Sequence, residues 1–155
     1  MKQLAIVFTV ALVALFCCQC STSQYAQAKK GAKSTPYTVL ENYFVRNTVK
    51  PTKRYRIVLD NEKDFDAIFG HASLMGGLPT DINWKKQYVV AIMLPETNRS
   101  TMVTPLDVKQ SPGNVIFYYQ VNTGLKTSYT IVPFAAVALE RTIEPQELQV
   151  FFIEK

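Results

Sequence analysis

The sequence predicts a mainly β domain (α+β by strict count). The expected architecture is an antiparallel sheet, sandwich-like or a partly open barrel, with one short helix packed on it. Three observations predict this. Apolar and β-branched runs of strand length recur along residues 36–155, turn residues separate them, and a single ten-residue segment spaces its apolar residues as a helix does.

Thr38–Val45 and Tyr55–Leu59 are aromatic and β-branched in part and read as strands. Gln87–Leu94 is a nearly continuous apolar run closed by Pro95, as expected of a central strand covered on both faces. Thr101–Val108 follows, with Met102, Pro105 and Val108 breaking any clean alternation. The turn pair Pro112-Gly113 announces Asn114–Val121. Asn122-Thr123-Gly124 reads as a hairpin connection to a further strand, Thr127–Pro133. Ala135–Glu140 and Leu148–Ile153 complete the set. Pro105 and Pro133 cannot donate to a ladder, which assigns them to edges, strand ends or bulges.

Asn61–Gly70 predicts the helix. Asn61 is suited to the N-cap, and Glu62, Asp64 and Asp66 suit the positive end of the helix dipole. Phe65, Ile68 and Phe69 fall at i, i+3 and i+4, one apolar face for the sheet, and Gly70 is a natural residue to follow the last turn.

The amino-terminal end has another character. Lys2 precedes fifteen residues, Leu4–Cys18, in which only Thr9 is polar, and polar sequence follows from Ser21. This is the layout of a bacterial export signal, shorter than the ~20 apolar residues that span a bilayer. All three cysteines, Cys17, Cys18 and Cys20, sit where the apolar run ends. That placement resembles a lipoprotein signal, in which a lipidated cysteine becomes the first mature residue. Cys18, with Leu15 three before it, fits best as the lipid anchor and Cys20 second; the alternatives are a plainly cleaved signal and an uncleaved anchor. Two or three acyl chains make a stable anchor, at ~0.8 kcal/mol per buried CH₂.

The expected organisation is therefore a signal segment at 1–20, a flexible tether at 21–35 and a single β-rich domain at 36–155. The tether assignment rests on a single large apolar residue, Tyr25, in that stretch.

The chain carries 17 Lys and Arg against 12 Asp and Glu, a net of +5. Setting aside Lys2, Lys29, Lys30 and Lys33 leaves 13 basic residues and a net of +1 for the domain, which argues against a nucleic-acid partner. The cluster Lys50, Lys53, Arg54 and Arg56 reads as a charged strand edge. With no cysteine after residue 20, the domain has no disulfide and no thiolate chemistry.

No residue set predicts catalysis. The acids Asp60, Glu62, Asp64 and Asp66 fail the calcium-loop pattern, since Phe65 stands where the turn glycine belongs and His71 where the last acid belongs. His71 is the one histidine, with Ser73 nearby but no nucleophile-elbow motif. A metal site and a cofactor are not expected, and an enzyme is not expected. The candidate binding loop lies in His71–Asp81, at Leu74, Met75, Gly76, Gly77 and Leu78, where paired glycines permit close backbone approach. Trp84, Tyr118, Tyr119 and Tyr129 are candidates for a sugar-stacking platform, although adjacent Tyr118 and Tyr119 must face opposite sides of a strand.

The order of Glu62–Gly70, Pro79-Thr80, Ile82-Asn83-Trp84 and the apolar strand 87–94 resembles the C-terminal domain of PrcB, an accessory lipoprotein of a bacterial surface protease complex. Tyr43-Phe44 with Asn47, Phe65–Ala72 and Ser128–Pro133 are similar in rhythm to small lipoproteins of Bacteroides-type bacteria. The resemblance covers roughly residues 55–153. It departs from the family at Asn98–Thr101, where Gly-Gly-Tyr is usual. It implies a lipid-anchored envelope protein with a non-enzymatic binding domain and an envelope protein partner, a protease in the case of PrcB. A glycan-binding lipoprotein is the alternative, and a hydrolase with an unrecognised carboxylate site the third.

Overall fold

In the computed structural model, which describes residues 20–72, 77–142 and 144–155, the apolar runs form two four-stranded sheets packed face to face. The elements in order are helix α1 (Cys20–Lys29), β1 (Lys33–Ser34), β2 (Thr38–Val39), β3 (Tyr43–Val45), β4 (Tyr55–Leu59), helix α2 (Glu62–Ile68) and β5 (Phe69–His71). There follow β6 (Gln87–Met93), β7 (Thr97–Ser111), β8 (Asn114–Ile131), β9 (Phe134–Glu140), a 3₁₀ turn at Pro145–Glu147, and β10 (Gln149–Glu154). One sheet has the order β1-β7-β8-β10, the other β2-β9-β6-β4, and β3 pairs with β5 beside them. The fold is a β-sandwich and not a closed barrel.

Alternation explains the layering. In β6, Tyr88, Val90 and Ile92 meet Val115, Phe117 and Tyr119 of β8 and Val137 and Leu139 of β9 between the sheets. Val89, Ala91 and Met93 point the other way, onto Phe65 and Phe69. A strand buried on both faces needs no polar alternation, hence the continuous apolar run. Outside the other sheet, Ile116 and Tyr118 are covered by Tyr25 and Ala28 of α1. The described residues thus form four layers: α1, two sheets, and α2 with the β3–β5 pair.

The two sheets come largely from one folded ribbon. Met93 pairs with Phe134, Leu94 N–H donates to Pro133 O at 2.8 Å, and Thr97 pairs with Ile131. β6 and β7 therefore run as one long strand beside β8 and β9, bent at residues 94–96 and 132–133. Both prolines act as expected: Pro133 sits at the bend and Pro105 beside a register shift.

Five expectations are corrected. Residues 21–35 are not a free tether: they hold α1 and β1, with Ala28 only 2 % exposed and Lys33 and Ser34 paired to Gln110 and Lys109. Among the described residues there are consequently two α-helices, not one. Asn122-Thr123-Gly124 makes no hairpin, because β8 continues through it to Ile131. Gly124 is there for close approach, since a Cβ would lie 3.2 Å from the Ser100 carbonyl oxygen on β7. Thr38–Val45 is two strands in two sheets, divided where Asn42 takes φ 62°, a left-handed conformation that asparagine tolerates. Gly70 does not cap the helix: Phe69 is already extended at φ −107°, and Gly70 lies in β5 where a Cβ would meet the Phe44 ring at 2.5 Å. The N-cap, by contrast, is Asn61, whose Oδ1 accepts from Asp64 N–H at 2.9 Å. Pairing is antiparallel throughout except for β8 with β10, which run parallel because β9 intervenes between them.

Candidate functional site

The β7–β8 ribbon outruns its neighbours. β10 pairs with β8 only over Asn114–Tyr119, and β1 with β7 only at Lys109 and Gln110. Among the described residues no strand covers the outer edges of Thr97–Asp107 or Gln120–Ile131. Register shifts after Thr97, Arg99 and Pro105 bend this stretch, a usual defence of an open edge.

Between the bent ribbon and β3 lies a groove of about 880 Å³. One wall is Tyr43–Asn47 with Val49 and Lys50; the other is Ser100–Val103 with Tyr129–Phe134. Met102 (66 % exposed), Tyr129 (61 %) and Phe44 (43 %) present apolar surface at it. Alternation places Met102 outward on its strand while Val103 enters the core. The groove's charges are Arg46, Lys50 and Glu96. Arg46 is fixed by its Nε, which donates to Asp66 O at 2.6 Å and Phe69 O at 3.1 Å. A cation there complements the C-terminal end of α2, whose last turn has no basic residue of its own. Glu96 accepts from the Thr130 hydroxyl at 3.0 Å and ties the two chains at the bend.

A smaller cavity of about 300 Å³ lies on the other side of Tyr43. Phe65, Trp84 and Tyr43 floor it, and Glu62, Asp66, Asp81 and His71, all exposed, stand around it. The His71 ring meets Tyr43 edge-on at 5.4 Å. Tyr43 Oη donates to Thr80 O at 2.7 Å, and burial, with the nearby Asp66 and Asp81 carboxylates adding to it, pushes this phenol above its ordinary value. Among the described residues no group of three His, Cys, Asp or Glu is placed to hold a metal ion.

The residues singled out from sequence fall as follows. Cys18 lies outside the described residues, and Cys20 is the first residue of α1. Leu74, Met75 and Gly76 of the candidate binding loop, and Ser73, also lie outside them. Gly77 has φ 113°, and Leu78 is 89 % exposed at the rim of the smaller cavity, its carbonyl accepting from Asn42 Nδ2 at 3.1 Å. The four aromatic residues proposed to stack on a sugar are dispersed. Tyr119 is in the core, Tyr118 is under α1, Trp84 is in the α2 layer and Tyr129 is on the ribbon. Arg56 lies in an edge strand, β4, and Arg54 immediately precedes it, where the two close the side of the sandwich. Arg54 pairs with Glu154 at 2.6 Å and the Arg56 guanidinium lies 5.8 Å over the Phe152 ring. The groove was not foreseen. Its one sequence signal is the large apolar residues Met102 and Tyr129 within mostly polar strand sequence.

Comparison of the chain with protein-family models, with curated proteins and with solved structures finds no match.

Proposed function

We propose that this chain is a lipid-anchored envelope protein whose sandwich binds an extended segment of another envelope protein, as an accessory or inhibitor-like partner. A protease is the partner that the PrcB resemblance suggests. The groove beside the open ribbon carries this reading. Its apolar side chains can receive alternate side chains of a peptide, and the uncovered strand edges can supply main-chain hydrogen bonds to it. Phe44, Met102 and Tyr129 are the anchors, with Arg46 and Lys50 offering charge at the rim. The lipid reading rests on Cys18 or Cys20 at the end of the apolar run.

The test is affinity capture of the tagged chain from native membranes, beside a Met102→Asp, Tyr129→Ala variant. Removing a central aromatic anchor costs ~2 kcal/mol, so capture of the partner falls more than tenfold in the variant. Recovery of no stoichiometric protein, or equal recovery with the variant, rejects the groove as the binding surface.

A hydrolase draws its support from the smaller cavity, where Glu62, Asp66 and Asp81 stand with His71. The glycan reading has lost the clustered aromatic residues that would favour it.

A further inference from the structure

We infer that the α1-covered face of the β1-β7-β8-β10 sheet lies on the bilayer against anionic lipid headgroups, so that the groove is held at the far end of the sandwich. This rests on the lipid-anchor reading above and adds to it an orientation and a lipid class.

The length of chain available argues first. From Gln24 onward α1 is tied to the sheet. Gln149 Nε2 donates to Gln24 Oε1 at 3.1 Å, the Tyr25 ring lies 5.7 Å from that of Phe151, and Ser111 Oγ donates to Ala28 O at 3.1 Å. A lipid on Cys20 is joined to this fixed point by ~6 Å of helix, and one on Cys18 by that helix plus two residues that reach ~7 Å at full stretch. A sandwich is ~10 Å from sheet to sheet, with a further layer beyond, so the face that bears α1 is the one so short a span keeps nearest the lipid.

Charge argues second. Lys29 and Lys30 are exposed at the end of α1. Lys109 and Lys155 lie on the same outer face, with ammonium groups 5.8 and 5.0 Å from the Tyr118 ring. The carboxylate that contacts place among them is Asp107, 3.8 Å from Lys109 and bonded to the Ser34 hydroxyl at 3.1 Å. Glu154, next to Lys155, turns instead to Arg54 across the sandwich edge. Four lysines beside one acyl anchor form the second signal that strengthens attachment, each adding about fivefold near an anionic surface.

The groove stays clear of that face. α1 docks beside Ser111 and Gln149, at the Pro112-Gly113 end of the ribbon. The groove's β7 wall, Ser100–Val103, lies ~30 Å of strand from Ser111, and its other wall, β3, belongs to the layer on the opposite side of the sandwich from α1.

The experiment reconstitutes the lipidated chain into vesicles of phosphatidylcholine with phosphatidylglycerol, and of phosphatidylcholine alone. A membrane-impermeant amine-acylating reagent is added and each lysine is read by mass spectrometry. On the anionic vesicles Lys29, Lys30, Lys109 and Lys155 are expected to label about fivefold less than Lys50, Lys53 and Lys63, and the difference is expected to shrink on neutral vesicles. Even labelling of all seven on a vesicle-bound chain overturns the orientation while leaving the anchor standing. Protection of equal size on both vesicles overturns the headgroup contact. A chain that floats with neither vesicle overturns the anchor, and this inference with it.

Discussion

Arg141, just past β9, ties together the end of β4, the start of β6 and the turn that precedes β6. Its Nη2 donates to the carbonyls of Asp60, Gln87 and Trp84 at 3.1, 3.4 and 3.5 Å, and its Nη1 reaches Glu144 at 3.2 Å. The side chain is 19 % exposed, so water replaces these bonds poorly. Arg141→Ala is expected to cost ~1.5–3 kcal/mol in denaturant unfolding, the range for hydrogen bonds to a charged group. Arg141→Lys recovers less than half of it, because an ammonium cannot span carbonyls on three segments. A loss within the usual ±0.5 kcal/mol of surface substitutions contradicts this role. Tyr118 offers a second check at this scale. Burial under α1, with the Tyr25 phenol and Asp107 adding to it, pushes its phenol up to about 12 from an ordinary 10.0. Below pH 10 the folded and unfolded chains both hold this proton. Between pH 10 and about 12 the unfolded chain releases it and the folded chain keeps it, so stability falls as pH rises through that window. Tyr118→Phe removes up to one proton from that slope, and its unfolding free energy declines less steeply there than that of the parent chain. Parallel curves reject the assignment.

At the scale of elements, what was legible in the sequence was whatever packs on two sides. β6 and β9 are buried on both faces, and their apolar runs left no other reading. The α2 N-cap was equally plain, since Asn61 and the acids after it act within one turn. The ribbon's continuity was not legible, although Thr101–Val108, Asn114–Val121 and Thr127–Pro133 read as separate strands. From Asn122 to Thr130 no residue is buried, so no apolar alternation carries the strand across, and Asn122-Thr123-Gly124 has the composition of a turn. Only the partner strand shows why glycine is needed at 124, and a partner is a long-range fact. α1 escaped for a related reason. It is held by Tyr25 and Ala28, three residues apart, and alanine gives no apolar signal in a polar stretch. The groove inherits both failures, because one wall is the ribbon and the other is β3, whose separation from β2 depends on the backbone turn at Asn42.

For the molecule as a whole, the layers divide the work of stability unequally. The core between the sheets draws on β6 to β10, whereas the α1 layer adds Tyr25 and Ala28 over Ile116 and Tyr118 on the opposite face of one sheet. Releasing α1 should therefore leave the sandwich standing. Ala28→Asp places a carboxylate at a position 2 % exposed, where it finds apolar and phenolic neighbours, and an uncompensated buried charge is costly enough to undock a short helix. Hydrogen exchange is expected to show amides of residues 21–35 losing protection while those of β6, β8 and β9 keep theirs. The Tyr118 phenol, no longer covered, should then titrate closer to 10. In the lipidated chain this variant restores some fifteen residues of free leash, so protection of Lys109 and Lys155 on anionic vesicles should disappear with it. Loss of exchange protection in β6 and β9 as well makes the α1 layer part of the core. In that case the contacts proposed to orient the domain on a membrane are the ones that fold it.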